Sequence, residues 1–95
     1  MDIDELRTKR EQILEIAGRH GVRRLQVFGS AVRGEATHSS DVDFLIEVEG
    51  RTTPWFPGGL VAELENLLGC RVDVVEPGAV REGLKEVILR EAVPL

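Results

Sequence analysis

The sequence GSAVRGEATHSSDVDFLI spans residues 29–46 and decides how the remainder of this chain is interpreted. It opens with the pair Gly29-Ser30, which ends one apolar segment and begins a short helical turn. Ten residues separate Ser30 from Asp41, where an alternating strand begins. Asp41 and Asp43 are two residues apart on that strand, so both side chains project from the same face, roughly 6.5–7 Å apart.

Hydrophobic periodicity predicts an alternation of helices and strands along the chain. Apolar residues at helical spacing predict helices, and runs of apolar and β-branched residues predict strands. In chain order, these are a helix over 3–20, a strand over 22–28, a helical turn over 30–34, a strand over 41–48, a loop over 50–59, a helix over 60–68, a strand over 71–75 and a helix over 80–92. This order, α-β-α-β-α-β-α, predicts an α/β (α+β) fold with a small mixed three-stranded sheet flanked by helices.

Composition narrows the class of protein. The 95 residues predict a single domain, 1–95, and the balance of 42% hydrophobic to 31% charged residues is typical of a globular protein. The net charge of −5 argues against a broad nucleic-acid surface. The acidic and mixed segment MDIDELRTKREQ, at residues 1–12, is not expected to be a signal peptide, and no apolar run approaches the roughly 20 residues that span a bilayer. We therefore expect a cytoplasmic protein without direct nucleic-acid or membrane partners, whose exposed sheet edge would allow homo-oligomers.

Three of the five aspartates lie in predicted strands, where this residue type is disfavoured: Asp41, Asp43 and Asp73. The helical crossover between the second and third strands makes these strands plausible parallel neighbours, which would place Asp73 beside Asp43. Clustered carboxylates repel one another unless a cation lies between them. Hard oxygen ligands favour Mg²⁺, or Mn²⁺, over zinc, and a two-metal site of this kind suits nucleotidyl transfer.

The Gly29-Ser30 pair is a candidate phosphate cradle. Glycine allows the backbone to approach a phosphate closely, and the serine hydroxyl and the free N–H groups of the turn can then bind it. If the first two strands are antiparallel, the end of the first meets the start of the second. The cradle would then adjoin Asp41 and Asp43, as binding of a nucleoside triphosphate requires.

The arrangement Gly-Ser, ten residues, Asp-x-Asp resembles the signature of the DNA polymerase β-like nucleotidyltransferase superfamily. The segments GSAVRGEATHSSDVD, RVDVV and REAVPL are similar to the minimal nucleotidyltransferase (MNT) family, and the similarity covers nearly the whole chain. The resemblance implies a polymerase β-like core and an enzyme, a protein adenylyltransferase. It further implies the antitoxin of a HEPN/MNT toxin–antitoxin pair, transferring AMP from ATP to a tyrosine of a HEPN-family toxin.

The resemblance also implies roles for individual residues. The catalytic and metal-binding carboxylates would be Asp41, Asp43 and Asp73, and the nucleotide-binding residues would be Gly29, Ser30, Arg33 and Ser40. Mg²⁺, in a two-metal site, would be the cofactor and ATP the substrate.

Simpler interpretations stay open. The paired aspartates could be solvated carboxylates, Asp73 an edge-strand charge, and Arg33 a surface cation. The domain could also neutralise a partner by binding alone, or act on a small molecule with a substrate domain supplied by another subunit. Trp55 and Phe56 are expected to pack over the sheet edge, with a partner-binding patch as the alternative.

Overall fold

The computed structural model describes residues 1–37, 39–50, 52 and 54–95. The loop predicted for residues 50–59 therefore lies partly outside the described residues. The helices are α1 (Ile3–Thr8), α2 (Arg10–Arg19), α3 (Ser30–Arg33), α4 (Gly58–Leu68) and α5 (Glu82–Glu91). The strands are β1 (Val22–Phe28), β2 (Val42–Val48), β3 (Val72–Val75) and β4 (Val93–Pro94), and a 3₁₀ turn spans Pro77–Ala79.

The strands form one mixed sheet in the order β3-β2-β1-β4. β1 and β2 are antiparallel, and Phe28 at the end of β1 faces Asp43 near the start of β2. β2 and β3 are parallel, and Asp43 faces Asp73. The predicted fold class and the expected parallel pairing of β2 with β3 are confirmed, and β1 and β2 have the antiparallel pairing on which the position of the cradle depended. Together the two pairings bring the Gly-Ser turn and two of the aspartates to one end of the sheet.

Within the described residues, the sheet has four strands rather than the predicted three. β4 contains only two residues, and in it Val93 pairs with Val27 and Pro94 with Gln26. The helix predicted to reach residue 92 ends at Glu91, where Ala92 turns into extended conformation. A two-residue strand is too short to show an alternating pattern, so only its pairing with β1 defines it. Its proline lacks an N–H donor, which an edge strand tolerates.

The N-terminal helix is divided in two. The prediction of one helix over 3–20 is corrected by a break at Lys9, whose φ and ψ of −109° and 16° separate α1 from α2. Asp2 caps α1, since its carboxylate accepts a hydrogen bond from the Glu5 N–H at 2.8 Å. The break lets both short helices bury apolar residues, Leu6 from α1 and Ile13 from α2.

The core lies on the face of the sheet covered by α2 and α4. α2 contacts β1 and α4, and α4 also contacts β3. From β2, the alternate residues Val42, Phe44 and Ile46 are buried in this core. The opposite face of β2 carries Asp43 and Leu45. Leu45 is also buried, and the 3₁₀ turn contacts β2. Among the described residues, no helix has the length and apolar character needed to cross a membrane.

Candidate active site

Two carboxylates lie side by side where β2 and β3 begin. Asp43 and Asp73 are each the second residue of their strand, and the parallel register places them directly opposite each other. Residues opposite each other on neighbouring strands share a face, with backbones about 4.8 Å apart. Asp43 is half-buried and Asp73 is exposed. The expected juxtaposition of these aspartates is therefore present in the sheet.

Asp41 belongs to the same acidic group but lies outside the strand. It is exposed and immediately precedes β2. The negative charge of Asp41 nevertheless acts on Asp43, since repulsion between the two carboxylates contributes to the raised pKa of Asp43.

The pKa of Asp43 is raised to about 6. Partial burial is the largest cause, followed by the negative charges of Asp73 and Asp41, while Arg33 acts in the opposite direction. The carboxylates thus concentrate negative charge at a partly desolvated position, and their oxygens are ligands that Mg²⁺ accepts. Among the described residues, no three His, Cys, Asp or Glu side chains are already grouped so as to hold a metal ion. The donor chemistry and the excess charge therefore fit a divalent cation, but the side chains are not gathered around one point.

Gly29 lies against Asp43 at the end of β1. Its φ of +81° and ψ of −152° form a conformation that side-chain-bearing residues rarely adopt. A Cβ at this position would overlap Asp43 Oδ2 and lie 3.2 Å from Asp43 Cγ. Position 29 therefore requires glycine for its backbone conformation and for the approach of Asp43.

Glu91, the last residue of α5, forms hydrogen bonds with Gly29 and Arg33 near Asp43. Its Oε1 accepts a hydrogen bond from the Gly29 N–H. Arg33 Nη1 donates to both carboxylate oxygens of Glu91, at 2.8 and 2.9 Å, and Arg33 Nε donates to Glu35 at 2.5 Å. Hydrogen bonds from Arg33 to Glu35 and Glu91 raise the pKa of the arginine. The Arg33 guanidinium is thus fixed in position by two carboxylates and is not a free surface charge.

These groups open into a cavity of about 640 Å³. Its polar wall consists of Gly29, Arg33, Asp43, Asp73 and Glu91. The remaining lining is mostly apolar and comes from β1, β3, the 3₁₀ turn and α5, with Arg81 directly before α5. The apolar residues are Phe28, Val75, Ala79, Val80, Leu84, Val87 and Ile88. A polar end beside an apolar wall is suited to a ligand with a charged and a less polar part.

A family model described as a nucleotidyltransferase domain matches residues 6–95. The chain belongs to this nucleotidyltransferase family. It is 44% identical over 79 residues to the protein adenylyltransferase MntA of Thermococcus cleftensis, covering 83% of this chain and 80% of that protein.

Two solved structures resemble this nucleotidyltransferase. One, of a minimal nucleotidyltransferase, has a TM-score of 0.86 and 45% identity, covering 100% of this chain and 97% of the other. The second is a Y104A mutant of the toxin–antitoxin MntA-HpeT, with a TM-score of 0.73 and 19% identity, covering 90% and 70% of the two chains. The second likeness shows a shared fold.

Not every predicted site residue of the nucleotidyltransferase lies on the cavity wall. Within the described part of the chain, Ser30, Ser40 and Asp41 are not wall residues. Ser30 begins α3 next to Gly29, and its carbonyl accepts from the Glu35 N–H at 2.9 Å. Ser40 Oγ accepts from the Thr37 N–H at 2.9 Å, within the loop before β2.

Glu91 was not predicted from the sequence as a site residue. The residue lies in the segment REAVPL, but its contact with Gly29 joins positions 62 residues apart. Helical periodicity identifies which face of α5 is apolar, and it does not reveal which acidic residue meets β1. The only sequence signal was a glutamate at the end of a predicted helix, where a negative charge is unfavourable to the helix dipole.

Proposed function

We propose that this nucleotidyltransferase transfers AMP from ATP to a tyrosine hydroxyl of a HEPN-family toxin and acts as its antitoxin. The observation that carries the proposal is the single cavity shared by Gly29, Arg33, Asp43 and Asp73. Support for a protein acceptor comes from the similar relative named protein adenylyltransferase, and support for a toxin partner comes from the MntA-HpeT structure.

Asp41, Asp43 and Asp73 are the residues that would hold Mg²⁺, in a two-metal site, and Mn²⁺ suits the same oxygen ligands. The pKa of Asp43 is raised first by burial and then by the negative charges of Asp73 and Asp41, and a bound cation would balance those charges. When bound, the metal would neutralise phosphate charge and orient the triphosphate. Asp41 is outside the cavity wall, so its carboxylate would have to come closer to Asp43 and Asp73 to take part.

The phosphate groups of ATP would bind at the end of β1. Gly29 and Arg33 both line the cavity, and the Gly29 N–H and the Arg33 guanidinium are donors of the kind that bind phosphate oxygens. The Ser30 hydroxyl begins the adjoining turn, and Ser40 would contribute from the loop before β2. The absence of a side chain at position 29 allows the Asp43 carboxylate to lie directly against the backbone that carries this N–H.

Transfer requires the acceptor oxygen to attack the α-phosphorus. A new O–P bond forms, the bond from the α-phosphorus to the bridging oxygen breaks, and pyrophosphate leaves with the bonding electrons. Asp73 is exposed next to Asp43, so its carboxylate is available to take the hydroxyl proton. Positioning and charge stabilisation supply the remaining catalysis.

The test uses the product of the neighbouring gene, purified together with this protein. Both are incubated with ATP and Mg²⁺, and intact-protein masses are measured. We expect one or more AMP units on the partner, and none with the Asp41→Asn/Asp43→Asn variant. A Glu11→Gln/Glu15→Gln variant removes two carboxylates of α2 and should retain transfer.

A stable complex with an inactive partner and no change in mass would contradict AMP transfer. The protein would then act by blocking its partner, and neutralisation would survive in the Asp41→Asn/Asp43→Asn variant. Transfer to a small molecule but not to the partner would contradict the protein acceptor.

A further inference from the structure

The Glu91 carboxylate occupies the polar end of the cavity. It accepts hydrogen bonds from the Gly29 N–H and from Arg33 Nη1. Its side chain is only 19% exposed, whereas that of Arg33 is 50% exposed. Glu91 is therefore held against Gly29 and Arg33 and does not extend into solvent.

A carboxylate and a phosphate compete for the same donors. Main-chain N–H groups and guanidinium groups bind both anions through charge-assisted hydrogen bonds. Gly29 and Arg33 are two of the groups assigned above to the triphosphate. Glu91 also lies close enough to Asp43 for its charge to be felt there, so it adds to the negative potential that an incoming triphosphate meets.

We infer that Glu91 is an internal competitor of the triphosphate, and that its carboxylate must leave Gly29 and Arg33 before ATP binds. This inference rests on the proposed function and concerns regulation of the same site. The apparent affinity for ATP is then reduced by the fraction of molecules in which Glu91 covers the donors. A nucleoside without phosphates does not need these donors and is unaffected.

A structural role for Glu91 predicts the opposite sign. The residue ends α5 and is separated from β4 only by Ala92, so its hydrogen bond to Gly29 also fastens the C-terminal segment to the end of β1. If its purpose were to hold Gly29 and Arg33 ready for the nucleotide, its removal would weaken binding. The direction of the change in affinity therefore separates the two roles.

The experiment measures, by calorimetry, the dissociation constants of a non-hydrolysable ATP analogue and of adenosine, each with Mg²⁺. We expect Glu91→Gln to bind the analogue roughly tenfold more tightly and adenosine within about twofold of the original protein. Glu35→Gln is the matched control, because Glu35 pairs with the same arginine but is absent from the cavity wall and does not bind Gly29. We expect less than about a threefold gain for it.

A second variant, Glu91→Asp, keeps the charge but shortens the side chain, and it should also bind the analogue more tightly. Weaker or unchanged binding by both Glu91 variants would overturn the inference, as would equal gains for Glu35→Gln and Glu91→Gln. Melting curves show that each variant is folded. Absence of analogue binding in all the folded proteins would overturn the proposed function itself, whereas binding without the expected gain overturns the inference alone.

Discussion

Gly29 and Asp43 are in such close contact that no side chain fits between them. A Cβ on Gly29 would overlap Asp43 Oδ2, and the backbone there has a φ of +81°. The contact follows from the antiparallel register, in which Phe28 faces Asp43 and the chain leaves β1 directly afterwards. The candidate phosphate-binding backbone and the candidate metal-binding carboxylate are therefore positioned by one pair of strands.

Gly29→Ala should slow transfer about 100-fold, because the new methyl group displaces the Asp43 carboxylate. A displacement of about 1 Å at a reacting centre is enough to reduce a rate roughly 100-fold. Gly34→Ala is the control for a positive φ alone: Gly34 has a φ of 74° and a ψ of 22°, in the left-handed helical region, and a Cβ there meets none of the described atoms within 4 Å. It should lose about 1 kcal/mol of stability through backbone strain and retain transfer.

The two glycine variants are compared by urea denaturation and by the rate of AMP transfer per folded molecule. Equal transfer rates in Gly29→Ala and Gly34→Ala would show that the approach of Asp43 to Gly29 is unimportant for the chemistry.

The Asp43 carboxyl should make the metal-free protein less stable as the pH rises. Its pKa is about 6 in the folded protein, above the ordinary value of 3.8 expected for the unfolded chain, mainly because of burial and then the charges of Asp73 and Asp41. Between these values the folded state binds more protons than the unfolded state, so the free energy of unfolding falls as pH increases. After allowance for solvent screening, we expect a loss of about 1 kcal/mol between about pH 4 and pH 7.

Asp43→Asn should remove this dependence and stabilise the metal-free protein by about 1 kcal/mol at pH 7, with little effect near pH 4. Urea denaturation in the presence of a chelator, at both pH values, measures the change. Asp4→Asn, at an exposed position of α1, is the control. A variant less stable than the original protein at pH 7 would mean that Asp43 ionises without penalty.

Mg²⁺ should stabilise the folded protein at pH 7.5, where the carboxylates are ionised. A cation present at about ten times its dissociation constant adds about 1.4 kcal/mol to the free energy of unfolding. Thermal melting with and without Mg²⁺ tests this, and Asp43→Asn should abolish the gain while Glu11→Gln/Glu15→Gln keeps it. An equal gain in all three proteins would indicate nonspecific binding to an acidic surface.

The sequence predicted the part of the site built from neighbouring strands. Asp43, Asp73 and Gly29 follow from strand alternation, a parallel crossover and an antiparallel pair, all of which leave a pattern in the sequence. The contribution of Glu91 depends on where α5 ends relative to β1, and the pairing of β4 depends on the same long-range contact. Periodicity contains no information about such distances.

The loop before α4 shows the same limit for exposed residues. Trp55 and Phe56 were both expected to pack over the sheet edge, but Trp55 is 85% exposed while Phe56 is half-buried against the core. Two adjacent aromatic residues have the same hydrophobic signal in the sequence, and only the direction of the backbone decides which of them turns inward. The expectation of core packing was therefore wrong for Trp55.

The difference between these aromatic residues gives a further prediction. Trp55→Ala should leave the free energy of unfolding within about 0.5 kcal/mol of the original value, because little of the indole is removed from water. Phe56→Ala should lower it by about 2 kcal/mol, less than the roughly 3–5 kcal/mol typical of a fully buried phenylalanine. Urea denaturation measures both.

If the exposed indole is an anchor for the partner protein, Trp55→Ala also weakens the complex in calorimetric titration while the domain stays folded. A large loss of stability in Trp55→Ala would instead show that the indole packs on the domain, and an unchanged complex would exclude it as an anchor.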